Sequence, residues 1–244
     1  MRRLTVFAVL LATAGCSAPP EAAAPRITPP SSGSLSPTVT TPTPAPSPSS
    51  SEVAFRGSVS PIDAAVRERM TASWRPGCPV PLADLRLLRM THWGYDDRVH
   101  PGEIVVRSDH AREVLGVFEA LFDARFPIRR MELVDVYDGD DDKSMAANNT
   151  SGFNCRASSG DPGSWSQHAY GLAIDINPIQ NPFVPRTGPI EPPAGASYAD
   201  RAHEAQGLIR PNDVVVSAFE RIGWEWGGYW SSAKDYQHFS ANGL

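Results

Sequence analysis

Cysteine is scarce: the 244-residue chain has 3, at positions 16, 78 and 155, and no CxxC pair. A zinc finger or ribbon built on thiolates is therefore excluded, and the absence of HExxH excludes the common zincin arrangement. Positive charge is in deficit, with 22 Lys and Arg against 27 Asp and Glu. No basic stripe or interleaved aromatic–basic run occurs, so no nucleic-acid partner is expected. Beyond the N-terminus there is no long apolar run, hence no candidate membrane span. No pair of carboxylates suggests itself for flanking a sugar bond, which argues against glycan hydrolysis.

What is present begins with an export signal. Arg2 and Arg3 give a positive start, Leu4 to Ala12 an apolar stretch too short to span a bilayer, and Thr13-Ala14-Gly15-Cys16 a lipobox-like ending. The usual lipobox has Leu where Thr13 stands; lipid attachment at Cys16 is the expectation and simple cleavage with secretion the alternative. Residues 17–52 are almost entirely Pro, Ser, Thr, Ala and Gly, with Glu21, Arg26 and Glu52 as the only charges. Such a segment cannot bury enough apolar surface to offset its ordering entropy. Its prolines favour an extended, semi-rigid tether of about 3 Å per residue. The predicted division is a lipoprotein signal over 1–16, a disordered linker over 17–52 and a folded domain over 53–244. The expected location is extracytoplasmic, anchored to the cell membrane or secreted, with the N-terminal lipid as the sole membrane contact.

The remaining stretch of about 190 residues suffices for one core. Setting aside the signal's two arginines and the linker's net −1 from the total of −5 leaves this domain at about −6. Ser60 as cap, Pro61 at the first helical position and Asp63 in a near capping box predict a helix with Ile62, Val66 and Met70 on one face. Residues 77–106 read as loops and short strands, Gly102 to Val106 being the clearest. A second helix is expected from Ser108 to Ala124, with a core stripe of Val114, Leu115, Phe118, Leu121 and Phe122. Met131 to Tyr137 reads as a strand buried on both faces. Asp138-Gly139-Asp140-Asp141-Asp142-Lys143 lacks EF-hand spacing and is expected to be a solvated turn that could touch a nearby basic residue. A last helix is expected near Asn212–Ile222, with Val215, Ala218, Phe219 and Ile222 on one side.

Two stretches carry the chemistry. In Ser166-Gln167-His168-Ala169-Tyr170-Gly171-Leu172-Ala173-Ile174-Asp175-Ile176-Asn177-Pro178 the second half alternates as a strand does, placing Leu172, Ile174 and Ile176 on one side and Ala173, Asp175 and Asn177 on the other. An ionised Asp between β-branched apolar neighbours is costly to bury unless a cation meets it. A turn ahead of the strand can bring His168 back over the face of Asp175; a buried Asp bonded to backbone amides beside a surface His is the bland alternative. Near the C-terminus, Asp235-Tyr236-Gln237-His238-Phe239 sets a carboxylate and an imidazole three residues apart. Two His and one Asp suit a catalytic zinc with an open position, and Asp235 is then a candidate general base.

SxHxxGxAxD followed by a C-terminal carboxylate-x-x-His-Phe resembles the D-alanyl-D-alanine carboxypeptidase and L-alanyl-D-glutamate endopeptidase superfamily. These are zinc peptidases of peptidoglycan that share a fold with hedgehog signalling domains. The likeness covers most of Trp74 to Phe239, including SMAANNTSGFNCR, WSQHAYGLAIDINPIQNPF and DYQHF. It implies one Zn²⁺ held by His168, Asp175 and His238, Asp235 as general base, and Arg156 as an arginine that holds substrate near the metal. The expected fold is α+β: a single compact domain with a small antiparallel sheet, flanking helices and a zinc cleft, after the disordered tether. The expected function is hydrolysis of amide bonds in peptidoglycan stem peptides, as D,D-carboxypeptidase or as L-Ala–D-Glu or cross-bridge endopeptidase, by a monomer. A non-catalytic zinc-containing wall-binding or signalling module is the alternative, but it needs neither Asp235 nor Arg156.

Cys78 and Cys155, in an oxidising compartment, most simply form a disulfide, worth ~3–5 kcal/mol on the chain-entropy model. Cys155 as a fourth metal ligand is the alternative, and it would fill the position catalysis needs. Pro182–Pro193 and the polar stretch Ser197–Leu208 are expected at the rim of the site. Of Trp224, Trp226, Tyr229 and Trp230, two are expected in the core and two in the cleft wall. His92, His100, His110 and His203 sit in no ligand-like pairing and are read as surface or structural.

Overall fold

The computed structural model describes Val53–Leu244; the predicted signal with Cys16 and the linker over 17–52 lie outside the described residues. Three strands, β1 (Gly57–Pro61), β2 (Leu85–Trp93) and β3 (Val99–Arg107), form an antiparallel sheet in that order. Side chains of a strand alternate between faces, and here both faces find a core. Leu88, Met90, Ile104 and Val106 join one apolar cluster, while Leu85, Leu87 and Val105 join another on the opposite side. This double burial explains the nine-residue length of β2 and β3, where short strands and loops were expected.

Helix α1 (Ala64–Arg69) starts later than predicted. Ser60 and Pro61 end β1 instead, paired with Leu87 and Arg86. Asp63 is the cap, accepting from the Val66 amide at 2.8 Å. Sheet pairing outcompetes the weaker Ser60 signal because β2 offers β1 a ladder, and a capping Asp stands three residues on. Val66 and Met70 are buried and Ile62 packs beside them. Helix α2 (Ala111–Asp123) follows the predicted stripe: Val114, Phe118, Leu121 and Phe122 are buried and Leu115 is half-buried, with Val117 added.

The predicted strand over Met131–Tyr137 is corrected. Strand pairing is limited to β4 (Arg130–Met131), and Val134–Tyr137 coils into a 3-10 turn that leaves Val136 63% exposed. The Asp135 carboxylate accepts from the amides of Ala72 and Ser73, both at 2.8 Å, which draws the chain out of strand geometry. The acidic run after it is also more than a solvated turn. Asp138 is left-handed (φ 59°), and Asp140 caps helix α3 (Asp141–Ala146) by accepting from Lys143 N at 3.1 Å. Strand β5 (Asn149–Thr150) then pairs in parallel with β4. Cys78 and Cys155 form the disulfide, so Cys155 is no metal ligand.

The rest of the chain makes a second small sheet. Strands β6 (Ala173–Asp175), β8 (Glu225–Trp226) and β10 (His238–Ser240) order as β6-β10-β8, while β7 (Phe183–Val184) pairs antiparallel with β9 (Lys234–Asp235). Helix α4 (Val214–Glu220), capped by Asp213, buries Val215, Ala218 and Phe219 as predicted. Phe219 stacks on Phe239 with ring centroids 4.2 Å apart. Ile174, Ile176, Trp226 and Phe239 thus join the same cluster as α2 and the first sheet. The result is the expected α+β architecture of small antiparallel sheets and few helices. Among the described residues no helix is long and apolar enough to cross a membrane.

Candidate metal centre and cleft

The site is assembled from a turn and two very short strands. Ser166 caps a 3-10 turn over Gln167–Tyr170, accepting from the His168 amide at 3.3 Å. Gly171 ends the turn at φ 67°, and a Cβ there would come within 2.7 Å of the Arg107 amide nitrogen. Only glycine meets both demands. The turn brings His168 back over Asp175, the end residue of β6. Asp175 in turn lies directly across the ladder from His238, the first residue of β10. Because cross-strand neighbours share a face, Asp175 and His238 project together while Ile174 and Phe239 fill the core behind them.

The three side chains are buried, and ligand atoms from each lie within 4.8 Å of one another. His168 Nε2 is 3.1 Å from Asp175 Oδ2, and His238 Nδ1 is 3.0 Å from Asp175 Oδ1. The opposite nitrogens are also occupied. His168 Nδ1 is 2.7 Å from the Gly152 carbonyl oxygen, and His238 Nε2 is 3.0 Å from the Leu244 main-chain oxygen. A carbonyl accepts only, so each outer nitrogen carries the proton and each inner nitrogen of a neutral ring points a lone pair at a carboxylate oxygen. Lone pairs facing one another need a proton or a metal cation between them. His168 Nε2, buried without a hydrogen-bond partner despite its closeness to Asp175, fits that need. Gly152 reaches His168 because it lacks a side chain; a Cβ there would sit 2.5 Å from the Val105 carbonyl oxygen. These outer hydrogen bonds fix ring tautomer and orientation, as around bound metals generally.

The electrostatics report the same concentration of charge. Burial works against ionisation of Asp175, but the two imidazoles override it and hold its carboxyl well below the usual range. Burial likewise opposes a charge on His238, yet Asp175 and then Asp235 push it up to about 9. Asp235, at the end of β9, moves the other way: burial dominates and pushes it up to about 7, with the nearby Asp175 adding to the rise. Its Oδ1 is buried without a partner. The His-Asp-His group could hold a metal, and its donor set of two neutral nitrogens and one carboxylate leaves a coordination position open for substrate or water.

A cleft of about 800 Å³ opens onto this group. Arg156, Asp141, Trp165, Glu191, Trp230 and Asp235 line it together with the three potential ligands. Arg156 is where a substrate contact was expected, but its Nη2 is engaged at 2.7 Å by Asp141 Oδ2. From the proline-rich stretch, Phe183 and Glu191 do reach the rim, while 197–208 does not. Arg201 of that stretch instead points into the protein, donating to the carbonyls of Gln180 (2.7 Å) and Ile209 (2.6 Å) and to Asn181 Oδ1 (2.9 Å). Trp224 and Trp226 are core, and Trp230 lines the cleft with its ring 5.7 Å from that of His238. Tyr229 is half exposed and packs edge-on against Trp226, so one of the four aromatics lines the cleft where two were expected. The other histidines stay away: His92 is buried against the Trp93 carbonyl, and His100, His110 and His203 pair with Asp96, Glu113 and Asp200.

Sequence reasoning passed over Asp141 and Glu191 as cleft residues and over the carbonyls of Gly152 and Leu244. Asp141 sat in a run of four acids with no pattern of its own; main-chain partners leave no sequence signal at all. A separate concavity of about 710 Å³ on the first sheet includes Arg69, Arg89 and Glu103. Both arginines are bound to Glu103, which accounts for that cluster structurally.

Residues 159–241 match the family model described as D-alanyl-D-alanine carboxypeptidase. The match covers less than half of the 244-residue chain. His168, Asp175, Asp235 and His238 all fall within it, whereas Asp141, Cys155 and Arg156 precede it. The segment is thus similar to a peptidase family. No curated protein and no solved structure matches the chain.

Proposed function

We propose that the protein is a zinc-dependent peptidase that hydrolyses amide bonds in the stem peptides of peptidoglycan. The observation that carries this reading is Asp235: a half-buried carboxylate beside the His-Asp-His group, pushed up to about 7 and with one buried oxygen free of any hydrogen bond. A purely structural ion site needs no such neighbour. A carboxylate that titrates near neutrality is suited to take and return protons at working pH.

His168, Asp175 and His238 would hold the ion, which when bound polarises the scissile carbonyl and acidifies water. The remaining work falls to this chain. Asp235 accepts a proton from the attacking water as the C–O bond forms, then delivers it to the leaving amine as the C–N bond breaks. Arg156 steadies the substrate oxygen that gains negative charge, a contact worth roughly 3–4 kcal/mol for one good donor. Trp165 and Trp230 give the cleft apolar walls for the peptide. The predicted signal, lipid at Cys16 and proline-rich linker complete the proposal: an extracytoplasmic monomer tethered to the membrane and reaching into the wall.

The test is incubation of the zinc-loaded protein with purified peptidoglycan and defined stem peptides, with and without chelator, read by mass spectrometry. Chelator-sensitive release of terminal D-Ala makes it a carboxypeptidase; a split between L-Ala and D-Glu or in a cross-bridge makes it an endopeptidase. No cleavage of any peptide by the folded, zinc-loaded protein overturns the proposal in favour of a binding module.

A further inference from the structure

The Asp141–Arg156 pair was foreseen neither as a pair nor as part of the cleft. Its side chains are only 21% and 23% exposed, and both residues line the cavity that holds His168, Asp175, Asp235 and His238. An exposed ion pair contributes little, but this one is largely withdrawn from water and stands at the end of a series of restraints that converge on Arg156. The preceding residue, Cys155, is fixed by its disulfide to Cys78, by its amide to the Ser73 carbonyl at 2.9 Å, and by Arg75 donating to its own carbonyl at 2.8 Å. The Arg156 carbonyl accepts from Ser166 N at 3.1 Å, next to the turn that carries His168. On the other side, Asn154 Nδ2 donates to the Gly139 carbonyl at 3.1 Å, tying the segment to the turn just before Asp141.

The guanidinium itself is incompletely satisfied. Nη2 meets Asp141 and Nη1 makes a long 3.3 Å bond to the Ala157 carbonyl, but Nε is buried with no partner. A buried donor left empty is unfavourable, and such groups in native proteins call for an explanation. Arginine's planar fork cannot turn one nitrogen without moving the others. Fixing Nη2 therefore fixes where Nη1 and Nε point.

We infer that Asp141 is a positioning residue: by engaging Nη2 it fixes the Arg156 guanidinium at the cleft, leaving Nη1, with its single long bond, as the donor for a substrate oxygen. The inference rests on the peptidase reading above, in which Arg156 steadies the substrate. Asp141 touches neither substrate nor metal in this account and acts only through Arg156.

The test is a double-mutant cycle in the full chain with Asp141→Asn and Arg156→Gln, scored by kcat/KM on a cleaved stem peptide, with zinc content and Tm measured alongside. Misplacing a catalytic contact by an ångström lowers turnover by up to roughly 100-fold, so Asp141→Asn should lose about 10- to 100-fold, mostly in kcat. The double variant should lose no more than Arg156→Gln alone, and Asp141→Glu should recover part of what Asn loses. Multiplying losses, or an equal loss in Asp141→Glu and Asp141→Asn, would overturn the inference. A readout independent of activity is the Arg156 Nε–H signal in nitrogen-15 NMR, assigned by its disappearance in Arg156→Gln. It should be sharp and slowly exchanging in the wild type and averaged in Asp141→Asn; an unchanged signal in Asp141→Asn sinks the positioning role whatever the enzyme does. Absence of turnover by the zinc-loaded wild type would instead defeat the peptidase reading and leave the NMR result to decide the pair.

Discussion

The first sheet and the site sheet solve different problems. In the first, β2 and β3 run nine residues each, bury side chains on both faces and are covered by the 13-residue α2. In the second, β6 and β10 have three residues each and β8 only two. Strands so short cannot hold a geometry by their own ladders. The site is held from behind by Ile174, Phe239 and Trp226 in the shared core, and from the sides by bonds to main-chain carbonyls at Gly152 and Leu244. The framework half derives its stability from apolar area, whereas the site half spends its side chains on charge and depends on the framework for rigidity. Variants should therefore separate, with framework changes lowering stability and site changes removing metal or turnover.

The largest separation is expected from His168→Ala. It should abolish metal binding and turnover to background while circular dichroism still reports the native fold, because the apolar side of the site sheet is untouched. A metal content equal to wild type would contradict the proposed ligand set. On the framework side, Phe118→Ala in α2 removes a fully buried ring and should cost about 3–5 kcal/mol of stability. Denaturant titration checks this, and zinc-dependent turnover well below the new Tm should stay close to normal.

Reducing the Cys78–Cys155 bond probes the connection between the halves. The bond links residues 77 apart in sequence and ends one position before Arg156. Its loss should lower stability by about 2–5 kcal/mol and should also depress turnover in the protein that stays folded. Loss of stability with no effect on turnover would show that Arg156 is placed without it.

The smallest effect expected is on the pH dependence of the metal-free protein. His238 is raised from 6.5 to about 9, so its stabilising charge is fully present below pH 6.5 and lost as pH climbs through 9. Asp235 is raised from 3.8 to about 7, so its protonated form also favours folding until pH rises through 7. Asp175 is depressed, and its contribution is lost only below its ordinary 3.8. Without metal, stability should therefore fall between about pH 5 and 9; with zinc, which competes with protons for the same atoms, it should rise over that interval. Melting temperatures across pH, with chelator and with zinc, measure both slopes.

Much of the site was legible because its signals are local. A period-2 strand with one carboxylate at the wrong polarity, a histidine before a glycine-ended turn, and a carboxylate three residues ahead of a histidine all survive folding as read. The alternation of Ile174 and Asp175 predicted which side chain faces the core and which the site. The framework was less legible where tertiary partners outvoted local preference. Ser60-Pro61 has helix-start chemistry but was taken into β1 by a neighbouring strand, and Met131–Tyr137 has strand composition but coils because Asp135 reaches the amides of Ala72 and Ser73. Asp141 was illegible for the same reason: its meaning comes from Arg156, fifteen positions away, and nothing within the acidic run distinguishes it from its neighbours.

The most direct test of the central claim is a paired measurement on Asp235→Ala: zinc stoichiometry by elemental analysis and turnover on a cleavable stem peptide. Zinc should remain at one ion per chain while kcat falls roughly 10²- to 10⁴-fold, as expected for loss of a general base. Loss of the zinc together with activity would make Asp235 a ligand, and unchanged turnover would remove it from the mechanism; either result would contradict the account given for this site.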